Sequence, residues 1–138
     1  MKINKDKYRV AVYGSLRKGL SNHKNHLENS KFLGVFDSNP DFTMVSLGGF
    51  PGLLENGSTS IKFEVYEVNK KDFTNIRRLE GFNSINPESG LYKEKSIHTP
   101  FGESTIYIYN VDNEEKYLKR MENRIVKRGD WKSYLNKI

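Results

Sequence analysis

The sequence contains no cysteine, and this absence excludes several kinds of chemistry. Without a thiol the chain can form no disulfide, no thiolate nucleophile and no cysteine-ligated zinc site. Long apolar runs are missing as well. No stretch approaches the roughly 18 apolar residues that a membrane-spanning helix needs, and the run in residues 1–15 is too short for a secretory signal. These absences predict a soluble, cytoplasmic protein.

The sequence also lacks the signature motifs of several enzyme classes. It has no GxxxxGK(S/T), GxGxxG, HExxH or GxSxG pattern, which argues against phosphate-loop, dinucleotide-binding, zincin and serine-hydrolase chemistry. His23 and His26 are three residues apart and could share a helical face, but no further ligand of suitable type accompanies them. Hydrogen-bonded or exposed histidines are the favoured interpretation, and we expect neither a metal nor a cofactor.

Apolar and aromatic residues are frequent enough to build one core. The chain of 138 residues is 36% hydrophobic and contains 8 Phe, 8 Tyr and 1 Trp. This length fits one domain and not two, because domains usually span about 100–200 residues. We therefore predict a single domain over residues 1–138.

Positive charge is concentrated towards the C-terminus. The net charge of +6 resides in residues 116–138, which hold eight of the 23 cations and two of the 17 anions, so the other residues sum to zero. Such a segment is typical of a nucleic-acid or acidic-surface patch, or of a solvated helix face. Composition favours the solvated face, and nucleic acid is not the partner we expect.

Alternating apolar residues and turn signals predict six strands. The predicted strands cover residues 8–12, 31–37, 42–54, 60–68, 91–98 and 104–111. Glycines and Pro51 interrupt the third strand, and the Asn56-Gly57 pair predicts a turn before the fourth. Because hairpin connections dominate, we expect an α+β fold: a small mixed or antiparallel curved sheet or barrel with flanking helices.

Capping signals mark the predicted helices. These helices cover residues 22–29, 70–79 and 113–128. Asn69 predicts the start of the second helix and Gly81 its end. Asp112, followed three residues later by Glu115, forms a capping box for the third.

The segment VAVYGSLRKG, residues 10–19, is the first with chemical potential. A short buried strand here runs into a tight turn. Gly14 lets the backbone approach a ligand without an intervening Cβ, and consecutive N–H groups in such a turn can bind a carboxylate. The alternative is an ordinary connection between a strand and a loop.

The second such segment is IRRLEGF, residues 76–82. Glu80 lies at the C-terminal end of an amphipathic helix, where the helix dipole disfavours an ionised carboxylate. If the carboxyl is also desolvated, its pKa rises towards the range useful for proton transfer. Arg77, three residues earlier, acts in the opposite direction, and the alternative is an exposed Glu80 paired with it.

Six segments in the same order resemble the γ-glutamylcyclotransferase-like family, which includes the γ-glutamylamine cyclotransferases. The segments are VAVYGSLRKG, SNHKNHL with KFLG, GGFPGLL, IKFEVYEV with DFTNIRRLEG, GLYKEKSI with STIYIYNV, and GDWKSYL. Their order and spacing carry the resemblance, because each of them alone is weak. The resemblance implies the γ-glutamylcyclotransferase-like fold over most of the chain.

The resemblance also implies an activity. In this family the α-amine of a γ-glutamyl group attacks its own γ-carbonyl, forms 5-oxoproline and expels an amine or amino acid. Glu80 matches the family's general acid/base. The residues implied to bind the γ-glutamyl group are Tyr13, Gly14, Ser15, Leu16 and Tyr92. Ser15 has no recognisable His/Asp partners and is interpreted as a binding residue, not as a nucleophile.

Two departures from the family pattern lie beside Glu80. Arg78 stands where members often have aspartate, and the segment FNSINPESG is longer than in many small members. The leaving amine therefore stays open, as either an amino acid or another amine. Two alternative functions also remain: a non-catalytic binder of γ-glutamyl or related ligands, and a basic protein that binds nucleic acid through its C-terminal segment.

Overall fold

A computed structural model describes residues 7–136 and shows seven strands and four short α-helices. The strands are β1 (Lys7–Val12), β2 (Lys31–Asp37), β3 (Phe42–Ser46), β4 (Pro51–Thr59), β5 (Lys62–Asn69), β6 (Tyr92–Thr99) and β7 (Gly102–Tyr109). The helices are α1 (His23–His26), α2 (Lys70–Leu79), α3 (Glu114–Arg120) and α4 (Trp131–Leu135). Two 3₁₀ turns cover Pro87–Ser89 and Glu122–Arg124.

Five strands form one mixed sheet in the order β2-β5-β1-β7-β6. Its neighbouring strands are antiparallel except for the parallel pair of β1 and β7. Strands β3 and β4 form a separate hairpin, and β4 packs against β7. The predicted α+β fold with a mixed curved sheet and flanking helices is confirmed.

Side chains from alternate positions of β1 lie on opposite faces of the sheet and feed two buried clusters. Ala11 belongs to the cluster formed with the β3–β4 hairpin and Trp131. Val10 and Val12 belong to the other cluster, which includes Ile76 of α2. Strand β1 is therefore covered on both sides, and its C-terminal end leads into the interior.

Helix α2 matches its predicted bounds and its predicted caps. The side chain of Asn69 accepts a hydrogen bond from the backbone N–H of Asp72 at 2.8 Å. Gly81 follows with φ of +66°, in the left-handed region that glycine favours. Helix α1 is shorter than predicted and covers only His23–His26. No helix in residues 7–136 has the length and apolar character needed to cross a membrane.

The turn predicted at Asn56-Gly57 is wrong. Strand β4 continues to Thr59, and residues 55–58 bulge out of its pairing with β3. The hydroxyl of Thr43 donates to the Asn56 carbonyl at 2.8 Å, and a Cβ on Gly57 would overlap this hydroxyl. The Asn-Gly pair therefore lies in a β-bulge of β4 opposite β3. It does not form a hairpin turn into β5, because β5 belongs to the five-stranded sheet.

The prediction of one C-terminal helix over 113–128 is also wrong. Helix α3 ends at Arg120, and its cap is Asn113 in place of Asp112. Beyond it the chain pairs with β3: Ile125 bridges to Val45, and the Val126 N–H donates to the Met44 carbonyl at 2.8 Å. Strand pairing outweighs helical propensity here because it buries Val126 and satisfies backbone groups at the edge of the hairpin.

Candidate active site

The ends of four elements meet around a cavity of about 380 Å³. Strand β1 and helix α2 end there, whereas β4 and β6 begin there. The residues that line it are Ala11, Val12, Tyr13, Gly14, Ser15, Leu16, Ser21, Asn22, Gly49, Phe50, Pro51, Leu79, Glu80, Leu91, Tyr92 and Tyr107. All the site residues proposed from the sequence therefore line one cavity, although Tyr13 and Tyr92 are far apart in the chain.

The carboxyl group of Glu80 is desolvated inside this cavity. Helix α2 places it there, since the Glu80 backbone N–H donates to the Ile76 carbonyl at 2.9 Å. The residue is half-buried, and burial raises the pKa of its carboxyl to about 7. Within residues 7–136 no group donates a hydrogen bond to this carboxyl. Near neutral pH it can therefore both accept and donate a proton.

Arg77 does not pair with Glu80. Its guanidinium forms two hydrogen bonds to Glu94, at 2.7 and 2.8 Å, and lies over the rings of Phe73 and Phe82. The hydroxyl of Tyr107 also donates to Glu94. The alternative of an exposed Glu80 paired with Arg77 is therefore wrong, because Glu94 in strand β6 holds the guanidinium.

The loop after β1 presents backbone donors. The N–H groups of Gly14, Ser15 and Leu16 donate to no acceptor within residues 7–136. Gly14 is packed against Pro51, and a Cβ at Gly14 would come within 2.9 Å of the Pro51 ring. Successive backbone N–H groups without an acceptor, in residues that line a cavity, can bind a carboxylate or an oxyanion.

A buried network of charged side chains anchors the residues that follow this loop. The sequence analysis did not predict it. The Arg17 guanidinium donates to Glu64 and to Asp130, at 2.8 Å in each case. Glu64 also accepts from the Lys18 backbone N–H at 2.8 Å and from the Tyr66 hydroxyl at 2.9 Å. Glu64 lies on the same face of β5 as the buried residues Tyr66 and Val68. A single carboxylate on an otherwise apolar strand face was the feature of the sequence that could have indicated a buried ion pair.

These contacts explain the ionisation of Glu64. Burial raises the pKa of its carboxyl, but the hydrogen bonds from Lys18, Arg17, Tyr66 and Lys132 outweigh burial and lower the pKa below its usual value. Glu64 and Glu80 are thus two carboxyls shifted in opposite directions. Glu64 is ionised at neutral pH and acts as a structural anchor, whereas Glu80 titrates near neutrality.

Two of the three tyrosines that line the cavity tie neighbouring elements together through their hydroxyl groups. The Tyr13 hydroxyl donates to the Tyr107 carbonyl at 2.6 Å, and the Tyr92 hydroxyl donates to the Pro51 carbonyl at 2.7 Å. Burial raises the pKa of both phenols, with a further contribution from the nearby carboxylate of Glu80. Both stay protonated at neutral pH.

The structure also adds residues to the cavity that the sequence did not single out. Asn22 donates to the Ser15 hydroxyl at 2.7 Å, which orients that side chain. Phe50, Leu79 and Leu91 bring apolar surface to the cavity. Phe50 had a signal in the sequence, since it lies in the Gly-rich segment GGFPG that interrupts a predicted strand.

The histidines show no metal site. The His23 Nδ1–H donates to the Leu16 carbonyl at 2.9 Å, so this ring supports the loop after β1. In the part of the chain that the structure describes, no three His, Asp or Glu side chains are grouped so that they could hold a metal ion.

The raised pKa of Glu80 predicts a pH-dependent contribution to stability. Its folded pKa of about 7 exceeds the unfolded value of about 4.3, so the folded state binds the proton more tightly. This stabilisation is complete below the unfolded pKa and is lost as pH rises through 7. Relative to Glu80→Gln, the wild-type free energy of unfolding is expected to fall by about 3 kcal/mol between pH 4.5 and pH 8.

Urea unfolding at several pH values measures this difference. Glu115 is exposed on α3, and Glu115→Gln serves as the control that should follow the wild type. A difference between wild type and Glu80→Gln that does not change with pH would show that the Glu80 carboxyl is solvated.

Comparison with known proteins finds relatives over most of the chain. The sequence profile described as "Gamma-glutamyl cyclotransferase, AIG2-like" matches residues 10–133. A Vibrio cholerae protein that carries gamma-glutamylcyclotransferase as a provisional name is 37% identical over 122 residues, which cover 88% of this chain and 93% of the relative. The gamma-glutamylcyclotransferase family protein YtfP of Escherichia coli is 30% identical over 89% of this chain and 95% of its own length.

A solved structure shares the same architecture. The crystal structure of a Pyrococcus horikoshii protein superposes with a TM-score of 0.72 at 25% identity, covering 94% of each chain. Similarity of sequence and of fold therefore extends across the elements that form the cavity.

Proposed function

Since this chain belongs to the family described as gamma-glutamyl cyclotransferase, AIG2-like, we propose that it cyclises γ-glutamyl compounds. In this reaction the α-amine of the γ-glutamyl group attacks its own γ-carbonyl and releases 5-oxoproline together with a free amine or amino acid. The observation that supports the proposal most is the position of Glu80 in the cavity beside the loop after β1, where burial raises the pKa of its carboxyl to about 7 and so suits it to proton transfer in both directions.

The substrate supplies the nucleophile, so the protein has to fold the substrate and move protons. A well-oriented ring closure of this kind can reach an effective molarity of about 10⁵–10⁸ M. In the proposed mechanism the Glu80 carboxylate takes a proton from the α-ammonium group, and the freed nitrogen attacks the γ-carbonyl carbon. The bond to the leaving nitrogen then breaks as protonated Glu80 returns the proton to it.

The proton balance requires a second transfer. The ring nitrogen loses two protons in all and the leaving nitrogen gains two, so the amine departs as an ammonium ion. Glu80 can carry both, because its carboxyl returns to the ionised form after each donation. A pKa near the working pH keeps both forms of the group populated.

The loop after β1 is proposed to hold the γ-glutamyl end. The free N–H groups of Gly14, Ser15 and Leu16 suit the α-carboxylate or the oxyanion that develops on the γ-carbonyl. The Ser15 hydroxyl accepts from Asn22, and the nearby His23 Nδ1 is engaged with the Leu16 carbonyl. Within residues 7–136 the Ser15 hydroxyl donates to no imidazole or carboxylate, so Ser15 is proposed to bind substrate, with Tyr13, Leu16 and Tyr92 shaping the cavity.

The experiment that tests the proposal is the release of 5-oxoproline from a panel of γ-glutamyl amino acids and γ-glutamylamines, measured by liquid chromatography and mass spectrometry. We expect 5-oxoproline and the free amine to appear in equal amounts with at least one member. A panel that binds, as shown by calorimetry, but releases no 5-oxoproline would contradict catalysis and favour the non-catalytic binder. The single domain over 1–138 and the cytoplasmic location stay predictions.

A further inference from the structure

Apart from Glu80, the side chains that line the cavity offer no charged partner to a substituent on the leaving amine. Among the lining residues within 7–136 there is no Lys, Arg or His, and Glu80 supplies the one carboxyl. Two guanidinium groups precede Glu80 in α2: that of Arg77 is engaged by Glu94, and Arg78 is exposed and does not line the cavity. A carboxylate on the leaving amine would meet the charge of Glu80 without a compensating cation, and an ammonium group would find no second anion.

The free N–H groups of the loop after β1 already bind the γ-glutamyl group in the proposed reaction. Gly14, Ser15 and Leu16 form one donor site, which is proposed to hold the γ-glutamyl end. The rest of the lining combines apolar side chains with the uncharged polar side chains of Ser21, Asn22 and the tyrosines, so it offers no side-chain cation to the leaving group.

That apolar surface is conspicuous in the molecule as a whole. The large hydrophobic side chains that stay exposed in residues 7–136 are Phe32, Val35, Phe50, Leu79, Ile85 and Leu91. Three of them line this one cavity: Phe50 is 40% exposed, Leu79 38% and Leu91 47%. An exposed apolar patch continuous with a ligand cavity is typical of a binding subsite, because solvent exposure of such side chains has no benefit by itself.

We propose that Phe50, Leu79 and Leu91, here called the apolar rim, determine specificity for a leaving amine that carries an uncharged alkyl or aryl substituent. This inference rests on the proposed function, since it places the γ-glutamyl group next to Glu80 and the substituent against the apolar rim. The three residues come from the β3–β4 turn, the end of α2 and the segment before β6, so they surround the substituent from different elements.

Matched substrates test this proposal. γ-Glutamyl-n-pentylamide differs from γ-glutamylnorleucine only by a carboxylate, from γ-glutamyl-5-aminopentylamide only by a terminal ammonium, and from γ-glutamylmethylamide only in chain length. We expect kcat/KM for the pentylamide to exceed that for each of the other three by at least about tenfold. If kcat/KM for either charged substrate equalled or exceeded that for the pentylamide, the proposed role of the apolar rim would be overturned, whereas the proposed cyclisation would still hold.

Substitutions separate the apolar rim from general effects on the fold. Leu91→Lys places a cation at the apolar rim and should raise kcat/KM for γ-glutamylnorleucine relative to the pentylamide by about tenfold. Phe50→Ala should reduce the advantage of the pentylamide over the methylamide. Ile85 is 95% exposed and does not line the cavity, so Ile85→Ala is the control that should keep every ratio at its wild-type value.

A binding measurement keeps the inference testable if no 5-oxoproline is released. Calorimetry with the wild-type protein would then compare the same four compounds as ligands. If the pentylamide bound at least about tenfold more tightly than each of the other three, the specificity proposed for the apolar rim would be supported even though the proposed reaction had failed. No binding, or no preference among the four, would overturn the inference as well.

Discussion

Replacement of Glu80 by Gln is expected to lower the rate of 5-oxoproline release about 10²–10⁴-fold, which is the contribution typical of a positioned general acid/base. Glutamine keeps nearly the same size and polarity, so the cavity should keep its shape. It cannot take a proton from the α-ammonium group or return one to the leaving nitrogen. The loss should therefore fall on kcat, with a smaller effect on KM.

The pH profile of the same pair of proteins gives a second readout. Wild-type kcat/KM should rise as pH increases through about 7, because the reaction begins with the ionised form of Glu80. This rise should be absent from the residual activity of Glu80→Gln. Glu115→Gln, on the exposed surface of α3, should behave as the wild type. Equal activity of Glu80→Gln and wild type would exclude Glu80 as the acid/base.

Replacement of Glu64 by Met is expected to reduce the free energy of unfolding by about 3–5 kcal/mol. The side chains of Glu64 and Arg17 are each 5% exposed, so the change leaves a buried guanidinium with Asp130 as its remaining partner. The Lys18 N–H and the Tyr66 hydroxyl also lose their acceptor. Buried donors without acceptors account for most of the expected loss.

Urea unfolding at neutral pH measures this loss, and a double replacement tests its cause. Glu64→Met combined with Arg17→Met should cost less than the sum of the single changes, because the second removes the unpaired charge left by the first. Lys62 pairs with Asp37 on the surface, and Lys62→Met is the control, with an expected loss below about 1 kcal/mol. A loss of similar size in Glu64→Met would show that the network contributes little.

The Glu64 network also connects stability to the loop after β1. Arg17 and Lys18 follow this loop directly, and Asp130, which caps α4, holds Arg17 from the other side. Loosening the network should therefore lower kcat/KM even at temperatures where the protein stays folded. The pKa of Glu64 is lowered, so this stabilisation is present above its unfolded pKa and is lost as pH falls through the folded value.

Local patterns in the sequence determined several elements correctly. The alternation in β5 and the caps of α2 at Asn69 and Gly81 depend on neighbouring residues alone, and the structure reproduces them. The loop after β1 and Glu80 could be named as candidates for the same reason, because each lies at a strand or helix end that short motifs mark. Their chemical roles stay predictions that the experiments above address.

Tertiary structure decided whatever depended on distant partners. The Asn56-Gly57 pair became a bulge because it faces Thr43, and the last predicted helix ended early because residues 125–126 pair with β3. Arg77 pairs with Glu94 and not with Glu80. The half-buried Glu80 carboxyl therefore has no cationic partner to offset the rise in its pKa that burial causes.

Charged and apolar side chains show the same division between sequence and structure. Arg17 found its partners 47 and 113 residues away, and the apolar rim was assembled from three separate elements. A side chain selects its partner by distance in space and by the cost of burial, and neither quantity is contained in the local sequence pattern. The sequence by itself therefore determined which groups this protein carries, whereas the folded chain determined which of them are paired and which remain free to react.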